Sequence, residues 1–263
     1  MQVFNKKVIW ITGASSGIGK ELAIQLAKAG ALLVLSARNK KALTALKDEL
    51  VGNEHLVLPL DLNDSSNFHA LTQKVIDHFQ RIDYLFNSGG ISQRSEAWET
   101  TIDVDRKIME VNYFGNIALT KAVLPVMQKQ QSGHIIVTSS IAGKFGFFLR
   151  SAYCASKHAL HGFYESVLLE EEKKGISVTI VCPGKILTPI SVNALTADGT
   201  SHGEMDKNQE TGMPVEECVR QMLRATLQRK KEVLIGNKEI KAVTLKRFFP
   251  KLFWKIIKKQ SAT

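Results

Sequence analysis

"TGASSGIG", Thr12 to Gly19, follows the apolar run "KKVIWIT", Lys6 to Thr12, and leads into "GIGKELAIQLAKAG", where Leu22, Ile24, Leu26 and Ala27 fall at helical spacing before a stop at Gly30. The octapeptide therefore joins a first buried strand to a first helix. Gly13 permits a tight turn. Gly17 and Gly19 let backbone and helix approach a diphosphate seated on the helix N-terminal dipole. Ser15, Ser16 and Ile18 share the turn and are counted with them as candidate dinucleotide-binding residues. The spacing is G-x-x-x-G-x-G, not the commoner G-x-G-x-x-G, so its weight comes from its place between strand and helix.

Outward from this turn the same alternation continues. "ALLVLSA", "HLVLPLDL", "DYLFNSGG", "GHIIVTSS" and "ISVTIVCPG" are apolar runs that read as buried strands. Between them "KKALTALKDEL", "SSNFHALTQKVIDHFQR" and "SAYCASKHALHGFYESVLLEEEKKG" read as helices. "VDRKIMEVNYFGNIALTKAVLPVMQKQ" reads as one or two, with Pro125 at a bend or near an end. Continuous apolar strands alternating with helices predict a doubly wound parallel sheet with helices on both faces, a single-domain α/β Rossmann fold over residues 1–236. Residues 188–213 break the rhythm with a long polar stretch. It reads as a substrate lid or as plain surface loop. Residues 237–263 form a basic tail.

The bulk composition narrows the class. The chain has 263 residues, 44% of them hydrophobic and 23% charged, as in a globular domain with a sizeable core. Cys154, Cys182 and Cys218 have no metal-ligand spacing, and their odd count fits a reducing compartment better than a disulfide framework; no metal is expected. No stretch reads as a signal peptide or a membrane span. From Arg229 onward there are eleven basic residues and two acidic ones, which accounts for +9 of the net charge of +10. The rest is close to neutral, so a general nucleic-acid surface is not expected. The tail alone suits a polyanion or a membrane surface.

The second strand ends "LSARNK". The acid that holds a ribose 2′-hydroxyl in an NAD site is missing there; Arg38 stands instead, between Ser36 and Asn39. A guanidinium can hold a 2′-phosphate, which favours NADP(H) over NAD(H). Asp61 in "LDL", with Leu62 beside it, either accepts from adenine N6 or caps the next turn.

"YCASK", Tyr153 to Lys157, is on its own only a helical i, i+4 pair, and most such pairs are a half-buried ring under a lysine. Its company changes that. "TGASSGIG", "NSGG" with Asn87 and Gly89, Asn112 in "VNYFG", "IIVTSSIAG" with Ser140, "YCASK" and "PGKILT" stand in one order and spacing. In these the chain resembles the short-chain dehydrogenase/reductases over about residues 5–236. "NSGGISQRS" and the tail further resemble the dehydrogenase/reductase member 7 branch, related to microsomal hydroxysteroid and retinol-type reductases. In one departure, Ser88-Gly89-Gly90 stands where the family usually has Asn-Ala-Gly, and the extra glycine would loosen that turn.

The resemblance implies a nicotinamide cofactor as hydride carrier and a catalytic set of Asn112, Ser140, Tyr153 and Lys157. Tyr153 would exchange the proton. A free phenol has a pKa of ~10, and Lys157 one turn on would lower it and reach the nicotinamide ribose. Ser140 would hydrogen-bond the substrate oxygen. By resemblance, Asn112 would hold a water in a relay ending at Lys157. Pro183, Gly184, the backbone at Ile186 and Thr188 would position the carboxamide. The expected activity is an NADP(H)-dependent oxidoreductase interconverting a carbonyl and a secondary alcohol. A dinucleotide-binding scaffold without turnover is the alternative.

"GKFGFFL", Gly143 to Leu149, is apolar and suggests a hydrophobic substrate such as a steroid, retinoid or acyl chain; packing or a subunit contact is the other reading. His158 and His161 read as helix surface or interface, Met127 and Phe163 as packing, and "LLEEEKKG" as a solvated helix end. Relatives pair the helices near 112–130 and 152–174 across a two-fold axis, so a homodimer or homotetramer is expected. In the tail, Pro250 starts a helix whose Leu252, Phe253, Ile256 and Ile257 fall on one side and whose Lys251, Lys255, Lys258 and Lys259 fall on the other, with Trp254 near the boundary. That face either lies on an anionic membrane or packs on the protein and roofs the pocket. A cytoplasmic protein, peripheral to a membrane surface if the tail is free, is the expected location.

Overall fold

The structure, a computed structural model, describes residues 2–260. Seven parallel strands form one sheet in the order β3-β2-β1-β4-β5-β6-β7. They are β1 (Val8–Thr12), β2 (Leu32–Ser36), β3 (Leu56–Val57), β4 (Tyr84–Asn87), β5 (Gly133–Thr138), β6 (Ile176–Pro183) and β7 (Glu232–Ile235). Helices α1 (Gly17–Lys28), α2 (Lys40–Glu49), α3 (Phe68–Phe79), α4 (Ile102–Met109), α5 (Gly115–Gln130), α6 (Ser151–Glu171), α7 (Lys207–Glu210) and α8 (Val215–Leu227) connect them. The strands are apolar throughout because both faces are covered. Ile9, Ile11, Leu33 and Phe86 pack in the core that holds Leu22 of α1 and Met222 of α8. Val8, Trp10, Leu85 and Ile135 pack in the core that holds Val75 of α3, Val123 of α5 and Leu160 of α6. The chain runs outward from β1 to β3 and then returns to place β4 against β1 on its other side. That reversal opens a crevice at the C-terminal strand ends, where ligands bind in open α/β sheets.

One strand is shorter than expected, and one expected helical segment takes its two-helix form. "HLVLPLDL" gives a ladder of only Leu56 and Val57. Leu58 N still donates to Leu35 O at 2.9 Å and Leu60 N to Ala37 O at 3.2 Å. Pro59, with no N–H, stands between them on an edge strand, where proline is tolerated. The long segment before β5 splits into α4 and α5 around one π-helical turn, Glu110–Phe114. Such a turn inserts a residue into the helical ladder and marks functional sites. Pro125 lies inside α5.

The 188–213 stretch is not loose surface. Ser191, Ala194 and Asp206 are buried, and Leu195 bridges to Gln93 and to Ser201. The tail forms α9 (Lys241–Phe248) and α10 (Pro250–Ile257). The predicted apolar face of α10 divides in two. Phe253 is 1% and Ile257 9% exposed, one turn apart, packed in a cluster with Phe145. Leu252 and Ile256, the other i, i+4 pair, are 47% and 42% exposed. Successive residues are about 100° apart on a helix, so four apolar positions cover more arc than one contact surface needs.

His161, read as helix surface or interface, does not lie on the helix surface. It is buried, with Nε2 3.1 Å from Ser139 Oγ and Nδ1 3.2 Å from Lys144 Nζ. Burial lowers its pKa to about 4. His161, Cys182 and Glu232 lie close together, but the Lys144 ammonium binds Glu232 and stands among them, which opposes a second cation. The "solvated" end of α6 includes Glu171, which is buried and receives both Gln128 Nε2 and Lys174 Nζ.

Candidate active site

A cavity of about 1920 Å³ lies over the C-terminal ends of the strands. At one end the turn between β1 and α1 forms its floor. Gly13 has φ +69°, and a Cβ there would stand 2.8 Å from Gly89 Cα. At Gly19 a Cβ would stand 2.2 Å from the Gly13 carbonyl oxygen. Side chains at these positions would fill the turn and push the loops apart, so the glycines keep room for a flat, close-lying ligand. Gly13, Ser15, Ser16, Gly17, Ile18 and Gly19 all line the cavity, with Arg38, Asp61, Leu62 and Gly89 beyond them. This cradle, opening a helix N-terminus, fits a dinucleotide diphosphate.

The neighbouring turn is firmer than expected. Thr12 Oγ1 accepts from both Ser88 N and Gly89 N at 3.0 Å, and Ser88 Oγ lies 3.0 Å from Thr138 Oγ1. Ser36 is committed elsewhere: its Oγ accepts from Trp10 Nε1 and donates to Leu58 O. Asn39 caps α2 by accepting from Ala42 N. Arg38 is thus the side chain at the end of β2 that is exposed at the cavity without a role in capping or packing. Asp61 lines the cavity and also accepts from Asn63 N at 2.9 Å, so both of its expected surroundings are present.

At the other end β5, the loop after it and α6 bring Ser140, Tyr153 and Lys157 together. Ser140 follows the last residues of β5. Its Oγ accepts from Ala142 N at 3.1 Å and donates to Pro183 O at 3.3 Å. It acts on the Tyr153 hydroxyl in the direction of a lower pKa. Tyr153 and Lys157 lie one turn apart on α6, and Lys157 Nζ is 5.7 Å from the Tyr153 ring centre. Lys157 Nζ donates to Thr138 O at 2.8 Å. Burial lowers its pKa to about 8.

The phenol behaves differently from the sequence expectation. Burial pushes its pKa up, and the groups that pull against this are Ser140, Arg150 and Arg94. Pro183, Gly184, Ile186 and Thr188 line the cavity beside the tyrosine. Glu239, at the start of the tail, accepts from Lys185 N at 2.9 Å and so ties the tail to this loop.

Two predicted residues do not line the cavity. Asn112 sits in the π-turn, fully buried. Its Oδ1 accepts from Ile91 N at 2.8 Å, and its Nδ2 donates to Ile91 O and Ser156 Oγ. Any water held by Asn112 would have to meet its main chain, because the side chain is already engaged. Asn87 is fully buried, with Nδ2 donating to Thr120 Oγ1 and Tyr164 Oη. Its Oδ1 finds no partner among the described residues.

The sequence reading missed Gln93 and a charged trio. Gln93 Oε1 accepts from Ala152 N at 2.9 Å and Tyr153 N at 3.4 Å, capping the helix that carries the tyrosine from a distant loop. Arg94 and Asp206 form a buried bidentate pair, and Arg150 reaches the same carboxylate. Arg94 and Asp206 are 112 positions apart, and no local pattern announces such a pair. The one available signal was Arg94, four residues after Gly90 in the turn at a strand end.

The pattern recurs in known proteins. Residues 7–198 match the family model for short chain dehydrogenases. The mouse protein named dehydrogenase/reductase SDR family member 7B is 42% identical over 257 residues, spanning 95% of this chain and 80% of that one. The human family member 7 is 42% identical over 260 residues, spanning 96% and 77%. A short chain dehydrogenase/reductase from Burkholderia phymatum, solved in complex with NAD, superposes with a TM-score of 0.83 at 24% identity, over 95% of each chain, which is a likeness of fold. With its glycine turn, its parallel sheet and the tyrosine–lysine helix, this chain belongs to the short-chain dehydrogenase/reductase family of oxidoreductases.

Proposed function

We propose that the protein interconverts a carbonyl and a secondary alcohol on a hydrophobic substrate, with NADP(H) as cofactor. The observation that carries the reading is the continuity of one cavity from the glycine turn to Ser140, Tyr153 and Lys157. The bound nicotinamide would supply or accept the hydride. Tyr153 gives the proton to the nascent alkoxide or takes it from the alcohol. Ser140, which lines the same cavity, holds the substrate oxygen beside the phenol and stabilises its developing charge. Arg150 and Arg94 favour the phenolate as the proton leaves, and Lys157, one turn along α6, would meet the nicotinamide ribose. Phe145, Phe147, Phe253, Ile256 and Ile257 line the substrate end and match an apolar body. A panel of lipophilic ketones and alcohols followed by nicotinamide absorbance tests the reading. Absence of turnover across the panel, with cofactor binding intact, would overturn it in favour of a binding protein.

Arg38 supports the choice of NADP(H). Its guanidinium stands exposed at the cavity edge, where a 2′-phosphate would lie, while its neighbours Ser36 and Asn39 are engaged in packing and capping. Arg38→Asp should weaken NADPH binding by about 10- to 100-fold, in line with ~1.5–3 kcal/mol for a charge-assisted hydrogen bond, and should shift preference toward NADH. Titrations showing the same dissociation constants for both cofactors before and after substitution would remove Arg38 from the site.

The outward side of the tail supports a peripheral membrane contact. Among the described residues no helix is long and apolar enough to cross a membrane. Phe248, Leu252 and Trp254 are each at least 47% exposed within seven residues. Lys246, Arg247, Lys251, Lys255, Lys258 and Lys259 surround them with no acidic residue between. Apolar burial and attraction to anionic lipid act together on such a helix. Co-sedimentation with anionic vesicles at low salt is expected, and Trp254→Ser with Leu252→Ser should reduce it severalfold. Equal sedimentation of both proteins would refute the contact.

A homodimer or homotetramer is the proposed assembly. Phe114 and Leu169, 48% and 75% exposed on the segment leading into α5 and on α6, are apolar residues that a partner helix pair would cover. Light scattering at micromolar concentration should give a mass above one chain.

A further inference from the structure

The tail begins with a carboxylate that the proposed reaction does not use. Glu239 lies in one helical turn, Lys238–Ile240, between β7 and α9, and it lines the cavity. Its Oε1 accepts from Lys185 N at 2.9 Å and from Asn237 N at 3.1 Å. Two glycines leave room for that oxygen. A Cβ on Gly236 would stand 2.6 Å from it, and a Cβ on Gly184 closer still. These glycines follow β6 and β7, which pair at Pro183 and Ile235. Lys185, Lys238 and Lys241 line the same wall, so the carboxylate stands among ammonium groups, and what the geometry singles out is its acceptor oxygen.

The loop that Glu239 holds runs from Pro183 to Thr188 and spans the cavity. At its start Pro183 O accepts from Ser140 Oγ at 3.3 Å. At its end Thr188 meets the glycine turn, where a Cβ on Gly17 would stand 3.3 Å from Thr188 Cβ. Between these ends Gly184 N donates to Ile235 O at 2.7 Å, Met213 N to Lys185 O at 2.8 Å and Leu187 N to Met213 O at 2.9 Å. A hydride can pass only if the nicotinamide lies beside the carbon that Ser140 and Tyr153 address, and this loop forms the wall there. Glycine at 184 gives the loop wide conformational latitude. The setting of its N–H and C=O groups therefore depends on what holds them from outside.

We propose, resting on the carbonyl/alcohol reading above, that Glu239 is a positioning residue for the nicotinamide half of the cofactor. Its Oε1 fixes the Lys185 N–H, and through it the Pro183–Thr188 loop against which the ring is seated. It takes neither proton nor hydride. The adenosine half, at the other end of the cavity beside Arg38 and Asp61, is indifferent to it.

The test compares a cofactor with its truncated twin. 2′-Phospho-ADP-ribose is NADPH without the nicotinamide ring. ADP-ribose stands in the same relation to NADH, so the comparison holds whichever cofactor the protein prefers. In calorimetric titrations of the full chain, Glu239→Ala should weaken the dinucleotide about tenfold, the range of a hydrogen bond to a charged acceptor, and leave the ring-less twin within about twofold. Glu239→Gln keeps an acceptor oxygen and should recover most of the loss. Gly236→Ala displaces the same carboxylate from outside the residues that line the cavity and should reproduce the split. Equal weakening of both ligands in Glu239→Ala and Gly236→Ala would mean that Glu239 supports the fold and not the ring, and would overturn the proposal. So would native affinity for both ligands, or a Gln variant as weak as the Ala variant. The split, with no ketone ever reduced, would leave the role of Glu239 standing and remove the carbonyl/alcohol reading. Ready ketone reduction by the unaltered protein, with no split in the variants, would do the reverse.

Discussion

Tyr153→Phe should reduce turnover by ~10²–10⁴-fold, the range of a lost general acid–base, while the dissociation constant for NADPH stays within about twofold. The phenyl ring keeps the packing of a residue that is 9% exposed and sits in a small cluster with Ala142 and Cys154. Only the hydroxyl goes. The dinucleotide cradle lies at the other end of the cavity, on the turn after β1, and does not depend on that oxygen. The two readouts must therefore separate. Binding by fluorescence titration and turnover by absorbance measure them independently. A variant that keeps near-native turnover on an identified substrate would show that the proton comes from elsewhere. One that loses both together would show only that the fold had suffered.

Asp206→Ala should lower stability by ~3–5 kcal/mol, the cost of leaving a buried charge without its partner. For a domain of this size that is a drop in melting temperature on the order of 10 °C. The carboxylate is 1% exposed and receives Arg94 through two nitrogens and Arg150 through one. Removing it leaves two guanidiniums facing each other at low dielectric, and it unfastens the 188–213 stretch from the loop after β4. Asp206→Asn keeps an acceptor and should recover part of the loss. Thermal unfolding of the three proteins at one pH checks this. A shift of no more than a degree or two for Asp206→Ala would mean that water enters freely and the trio is solvated.

The order of strands and helices was legible because each strand is apolar on both faces and each helix is punctuated at its ends. The glycine turn was legible from its place between strand and helix, and Ser140, Tyr153 and Lys157 from the ordered motifs in which the chain resembles its family. Asn112 was found as a residue but not as a geometry. The π-turn that turns its amide onto Ile91 leaves no trace in helical periodicity. Gln93, Arg94 and Asp206 were invisible for another reason: their partners are set by tertiary approach of loops, and polar residues in a loop look solvated until something closes over them. The division of α10 into an inner pair and an outer pair had the same origin. The sequence showed an apolar arc but not how much of it one contact could use.

That division has a thermodynamic consequence. Phe253 and Ile257 belong to α10 and also to the wall of the cavity, and Glu239 ties the tail's first turn to the loop carrying Gly184. The volume open to substrate and the seating of the tail are therefore one variable, not two. Coupling free energies are reciprocal. A ligand that fills the space under Phe253 strengthens the seating of α10 by the same amount that a seated α10 strengthens the ligand. An agent that draws the helix outward loosens the ligand by as much as the ligand resists the pull.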